Sequence, residues 1–168
     1  MVMRNAVILC GALALAACGS EKSGTIETED GKAEYKVDSS GDGGSMTIKT
    51  KDGEFNVQSG SDASDLKLPA GFTVYPGAEV VTNATMTHDQ GSNINVTMTT
   101  KASPDQVVAF YRKQAAAAGV EISSEMKMDK VQIIGGENKG GLTFSLNTSP
   151  NDDGKTTASI SLAQASGK

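Results

Sequence analysis

Apolar and polar positions alternate with period two over most of this chain and switch to helical spacing once. Between residues 92 and 100, Ile94, Val96 and Met98 fall on one side, and Asn93, Asn95, Thr97 and Thr99 on the other. That is the signature of a half-buried strand. Alternation also groups Leu142, Phe144 and Leu146, then Ala158, Ile160 and Leu162. Glu79 to His88 reads as a further strand, turned back by Asp89-Gln90-Gly91. From residue 107 the spacing changes: Val107, Phe110, Tyr111, Gln114 and Ala118 recur at helical intervals. Four start signals agree with a helix there: Ser103 as N-cap, Pro104 at the first position, Asp105 in the first turn and Gln106 completing a capping box. Gly119 is the stop. Beyond it, Val120, Ile122, Met126 and Met128 are expected on one strand face, followed by Val131 and Ile133, and Asn151-Asp152-Asp153-Gly154 forms a hairpin turn. The pattern predicts an α+β fold in which an antiparallel sheet carries one helix on its apolar face, in the order β-β-α-β-β-β-β.

Ahead of this unit lies an internal repeat. Thr25-Ile26-Glu27-Thr28-Glu29-Asp30-Gly31-Lys32-Ala33-Glu34 is matched, 22 residues later, by Thr47-Ile48-Lys49-Thr50-Lys51-Asp52-Gly53-Glu54-Phe55-Asn56. Each copy reads as strand, Asp-Gly turn, strand, because Asp-Gly supplies the positive φ of a two-residue hairpin turn. Glu27 and Glu29 become Lys49 and Lys51 in the second copy. Pairing of the outer strands would set opposite charges against each other. The apolar content is small: Ile26, Ala33, Tyr35, Val37, Ile48, Phe55 and Val57. Four short strands with so few anchors are marginal alone, so the repeat is expected as a stalk or as a layer laid on the main unit.

Composition narrows the function classes. A net charge of −5 and a pI near 4.9 argue against nucleic-acid binding, which needs a basic footprint. The first residues change the picture more. Arg4 is followed by an apolar run, Ala6 to Leu15, that is too short to span a bilayer as a helix and has the length of a signal-peptide core. The run ends in Leu15-Ala16-Ala17-Cys18-Gly19-Ser20. This resembles the lipobox of bacterial lipoproteins, with an ordinary cleaved signal and an incidental cysteine as the alternative. The resemblance implies a diacylglyceryl group on the Cys18 thiol, cleavage before Cys18 and acylation of its freed amine. Gly19 rather than Asp after the cysteine implies an outer-membrane destination facing the periplasm. Cys10 would leave with the leader, so the mature domain would hold no disulfide, thiolate nucleophile or Cys-ligated metal. The expected organisation is a signal peptide over residues 1–17, lipidated Cys18 and a tether to 24, the hairpin repeats over 25–58 and the α+β domain over 66–163.

Leu68-Pro69, Tyr75-Pro76-Gly77-Ala78, Phe110-Tyr111-Arg112 and Gly119 are together similar to an uncharacterised module of bacterial lipoproteins and secreted proteins, with a "YPGA" turn and an "FYR" helix. Val120 stands where its members often carry Trp. The resemblance implies a small α+β envelope domain and assigns no catalytic residue.

Candidate chemistry is sparse. His88 is the sole histidine, and no Gly-x-Ser-x-Gly or His-Glu-x-x-His occurs. A base with no identifiable nucleophile makes no catalytic constellation, so no catalytic residue and no cofactor is expected. Met86 with His88, and Met126 with Met128, are spaced to share strand faces, with Met98 on the same side; thioethers and imidazole suit a soft metal such as Cu(I). Filling of core gaps is the competing role for these methionines. The polar sheet face, expected to hold Asn83, Thr85, Thr87, Asn93, Asn95, Thr97, Thr99, Thr143, Ser145, Asn147, Thr157, Ser159 and Ser161, is nearly charge-free. It reads either as an ordinary solvated face or as a platform for an envelope protein or glycan. The leading expectation is a membrane-anchored, non-enzymatic envelope lipoprotein with a structural or partner-binding role. A periplasmic ligand or soft-metal binder is the alternative.

Overall fold

The computed structural model describes residues 21–28, 31–64 and 66–166. The expected leader, Cys18, and Glu29 and Asp30 of the first repeat copy lie outside the described residues. Ten strands and one helix follow in chain order: β1 Glu21–Thr28, β2 Gly31–Ser40, β3 Gly43–Thr50, β4 Gly53–Ser59, β5 Glu79–His88, β6 Gly91–Thr100, α1 Pro104–Ala117, β7 Glu121–Met128, β8 Val131–Glu137, β9 Leu142–Pro150 and β10 Thr156–Ala165. All ten strands join one antiparallel sheet in the order β1-β2-β3-β4-β5-β6-β10-β9-β8-β7. The fold is thus α+β and mostly sheet.

One face of the sheet is covered by α1 and by the chain from residue 60 to 78; we call it the helix face. Val96, Met98, Phe144, Leu146, Ala158, Ile160 and Leu162 of the sheet meet Val107, Tyr111 and Ala115 of the helix there, each at most 1 % exposed. The helix buries Val107, Val108, Tyr111 and Ala115, while Phe110 and Ala118 are half-buried at its flank. Gln114 grips the crossing chain instead: its Oε1 accepts from the Thr73 N–H at 3.0 Å and its Nε2 donates to Thr73 Oγ1 at 2.8 Å.

The capping box is formed. Ser103 Oγ accepts from the Gln106 N–H at 3.4 Å, and Gln106 Oε1 accepts from the Ser103 N–H at 2.9 Å. Asp105 accepts from Lys127 Nζ and from Gln132 Nε2, both at 2.7 Å, tying the first turn to β7 and β8. Lys127, and then Gln132, hold its carboxyl below the usual carboxylate range. At the other end the Ala118 carbonyl, which a helix terminus leaves unpaired, accepts from Asn138 Nδ2 at 2.9 Å.

The hairpins are neither a separate stalk nor a layer on the face. β1 pairs β2, β2 pairs β3, β3 pairs β4, and β4 pairs β5 from Gly53–His88 to Ser59–Thr82, so they widen the sheet edge-on. Glu21 to Gly24, expected in the tether, are paired in β1, with Glu21 opposite Asp38. The outer strands of the two copies do not pair either, since β2 lies between β1 and β3. Glu27 faces Lys32 at 3.8 Å, and Lys49 pairs with Glu54 at 3.1 Å while lying opposite Glu34 in the register. A 3-10 turn, Gly60–Ser64, follows β4 and sends the fully buried Ala63 into the core. Gly60 has a φ of +61°, and a Cβ there would run into the Asp42 carbonyl, so only glycine fits the turn.

Two bulges break simple alternation. In β5 the register jumps between Val80 and Thr82, and in β7 between Ile122 and Ser124. An extra residue on one strand moves every later side chain to the other face. Val80, on the helix face opposite Met98, is therefore followed by Asn83 and Thr85 on the same face, opposite Val96 and Ile94. Asn83 is 6 % exposed. The expected polar-face set loses Asn83, Thr85 and Thr87 in consequence. The methionines are also displaced from the expected single stripe: Met98 is buried on the helix face, whereas Met86, Met126 and Met128 are 49 %, 44 % and 61 % exposed on the other.

Candidate functional site

The face opposite the helix has no second layer among the described residues, and its two halves differ in chemistry. On β1–β5 it is apolar. One row across the strands runs Gly24, Tyr35, Ile48, Phe55, Met86, and the next runs Lys22, Val37, Met46, Val57, Ala84. Tyr35, Val37, Met46, Ile48, Phe55 and Val57 are half-buried by their neighbours in the sheet. The Tyr35 ring lies over Gly24, where a Cβ would come within 2.8 Å of it. On β6, β10 and β9 the same rows continue as Asn93, Ala163, Thr143 and as Asn95, Ser161, Ser145, with Thr97, Ser159 and Asn147 beyond. Neighbouring side chains bond across this half: Asn93 Nδ2 donates to Ser161 Oγ at 3.4 Å, and the Thr97 and Ser159 hydroxyls lie 3.4 Å apart.

Charge is sorted between the faces. In the hairpins Glu21–Lys36 at 2.9 Å, Lys32–Glu27 and Lys49–Glu54 all stand on the helix-face side, with Glu34 and Asp38 beside them in the register. Lys36, hydrogen-bonded to Glu21, holds the Glu21 carboxyl below its ordinary range. Among the described strand residues the open face carries charge at its borders, with Lys22 on β1, Glu79 at the start of β5, and Glu121 and Glu137 at the far edge. Solvent-seeking side chains therefore lie on the side that also carries α1, and the open face is uncharged away from its borders and apolar at one end.

Met86 and His88 sit side by side on this face at the end of β5. With Ile48, Thr50, Gly53, Phe55 and Thr87, and with Asp52 and Glu54 at its rim, they line a groove of about 220 Å³. His88 is exposed, and its Nδ1 accepts from the Gln90 N–H at 3.2 Å, an ordinary turn contact. Met126 and Met128 share the open face too, but on β7, five strand steps away. At about 4.8 Å per step that is some 24 Å. The structure forms each pair and does not bring the two pairs together. Among the described residues no group of three or more His, Cys, Asp or Glu converges on a common point.

The motif residues of the Tyr75 turn and the helix do meet. The Ala78 N–H donates to the Tyr75 carbonyl at 2.9 Å to close the turn, with Gly77 at a φ of +72°. Tyr75 packs edge-to-face on Phe110 at 5.0 Å, and Phe110 on Tyr111 at 5.1 Å. Tyr111 is fully buried and donates to the Thr73 carbonyl at 3.2 Å. Arg112 forms an ion pair with Glu125 of β7. This cluster fastens the helix to the crossing chain and leaves the open face untouched.

The apolar open face is the feature that period-two reading misses. Its signals are weak: adjacent Val80 and Val81 at the first bulge, and Gly135-Gly136 opposite the second. A family model described as START domain-like matches residues 80–156, under half of the chain, from the first bulge to the start of β10. No curated protein and no solved structure matches the chain.

Proposed function

We propose that this chain is a lipid-anchored protein of the bacterial envelope, non-enzymatic, that holds a partner on the open face of its sheet. The apolar run ending in Leu15-Ala16-Ala17-Cys18 carries the anchoring half of this reading, with Gly19 favouring the outer membrane. If Cys18 is lipidated, β1 starts only three residues later, within about 10 Å of chain reach from the bilayer. The hairpin end of the sheet is then the end nearest the membrane. We read β1–β4 as two copies of one hairpin placed 22 residues apart, which enlarge the open face rather than build a second domain.

The binding half of the reading rests on the sorted charge, since a wide neutral face with apolar and hydroxyl-amide halves suits an uncharged partner surface or a glycan. The START domain-like match over residues 80–156 supports a binding role over catalysis. Phase partitioning in a cloud-point detergent, comparing wild type with Cys18→Ser, tests the anchor. Wild type is expected in the detergent phase and Cys18→Ser in the aqueous phase; an aqueous wild type overturns the reading.

A further inference from the structure

We infer that the occupant of the apolar half of the open face is a second copy of this chain, the two sheets packing face to face about a twofold axis. The inference takes from the preceding reading only that the open face is the binding face.

A sheet with an apolar face needs a second layer over it, because stable domains bury each such face against another element. On β6, β10, β9 and β8 the helix face has that layer. On β1–β4 the apolar side chains point the other way, and among the described residues nothing covers Tyr35, Ile48, Phe55 and Met86. The β5 bulge turns Ala84 and Met86 to the uncovered face, in line with Val57 and Phe55 of β4.

A twofold brings each patch onto itself, so a charge close to the axis meets its own copy. Among the described residues the strands carry their open-face charges at the borders, away from such an axis.

The size also fits. Five strands and three side-chain rows, the third holding Ile26, Ala33, Thr50, Gly53 and His88, give a patch of roughly 500 Å². Adding the neutral rows of β6 and β10 brings it to roughly 700 Å², near the ~800 Å² per partner of a standard interface. Packed sheets lie about 10 Å apart, a gap that Phe55, Ile48 and Tyr35 from both copies fill.

The test is sedimentation equilibrium of the chain beginning at Gly19, which holds every described element and lacks the lipid site. A dimer in the micromolar range is expected. Met86→Lys, at a half-exposed position in the patch, is expected to weaken it roughly 100-fold. Thr87→Lys, one residue along the same strand on the other face and opposite Glu54, is expected to leave it intact. Far-UV circular dichroism confirms that both variants keep their strands. A monomeric chain overturns the inference, whether or not it binds vesicles or a glycan. A dimer that survives Met86→Lys also overturns it, because it would then form elsewhere, such as along the open edge of β1. The anchor is absent from this material, so the outcome is independent of the phase-partitioning result.

Discussion

Asn83 lies directly opposite Val96 on the helix-covered face of the sheet, an amide facing a fully buried valine. The bulge at Val81 puts it there. Its Nδ2 donates to Gln58 Oε1 at 3.3 Å, while its buried Oδ1 has no partner. A buried acceptor without a donor costs about 1–3 kcal/mol, more than one long neutral hydrogen bond returns. Asn83→Val is therefore expected to stabilise the protein by about 1 kcal/mol. Urea denaturation measures this, with a raised midpoint at unchanged slope as the expected result and a lowered midpoint as the contrary one.

Tyr111 gives the fold an alkaline limit. Burial raises its phenol above the ordinary value of about 10, and backbone hydrogen bonding at Tyr75 offsets only part of that rise. A group whose folded pKa is raised contributes its stability below the unfolded pKa and loses it as pH climbs toward the folded one. Stability is thus expected to hold to about pH 10 and to fall above it. Tyr111→Phe should cost about 1 kcal/mol at neutral pH, from the lost bond to the Thr73 carbonyl, and should flatten the alkaline decline. Thermal melts of both proteins across the alkaline range decide it.

The helix cap is open to a direct check. Ser103→Ala removes one arm of a reciprocal pair and is expected to cost about 1 kcal/mol. Ser103→Asp, which keeps an acceptor at the N-cap beside the positive end of the helix, should recover most of it. Chemical denaturation reads both: no loss in Ser103→Ala would mean the cap contributes nothing, and an equal loss in Ser103→Asp would mean that an acceptor at this position is not what matters.

The helix was legible because its signals are local: Ser103, Pro104, Asp105 and Gln106 act on their own backbone. The same holds for the Asn151 turn, where the side chain accepts from the Lys155 N–H at 2.9 Å. The strands of the main unit were legible as strands for the same reason. What alternation does not reveal is phase across a bulge. A bulge adds one residue without altering local composition, so Met86 and Met126 read as extensions of the Val80 and Ile122 stripes while standing on the opposite face. The placement of the hairpins was equally hidden. Edge pairing of β4 with β5 uses backbone groups that every residue carries, and no side chain advertises it. The Cys18 signal has the reverse character, being specific in sequence and lying outside the described residues.

The relation between the hairpins and the helix-bearing unit yields the last expectation. A chain starting at Leu66 keeps α1, β5–β10 and the core from Val96 to Leu162, so it is expected to unfold cooperatively. It loses three things: the seven-residue pairing of β4 with β5, the Gln58 partner of Asn83, and Ala63, which is wholly buried. A chain starting at Gly60 regains Ala63 and the turn that carries it, and is expected to be more stable than the Leu66 chain by about 1 kcal/mol, the value of one buried methyl with its contacts. Neither reaches the stability of the chain with all ten strands, because β5 becomes an unpaired edge beside the half-buried Ala84 and Thr85. Urea denaturation of the three chains measures the order. A Leu66 chain without a cooperative transition would show that β1–β4 belong to the same folding unit as the helix, and that the sheet forms as a whole or not at all.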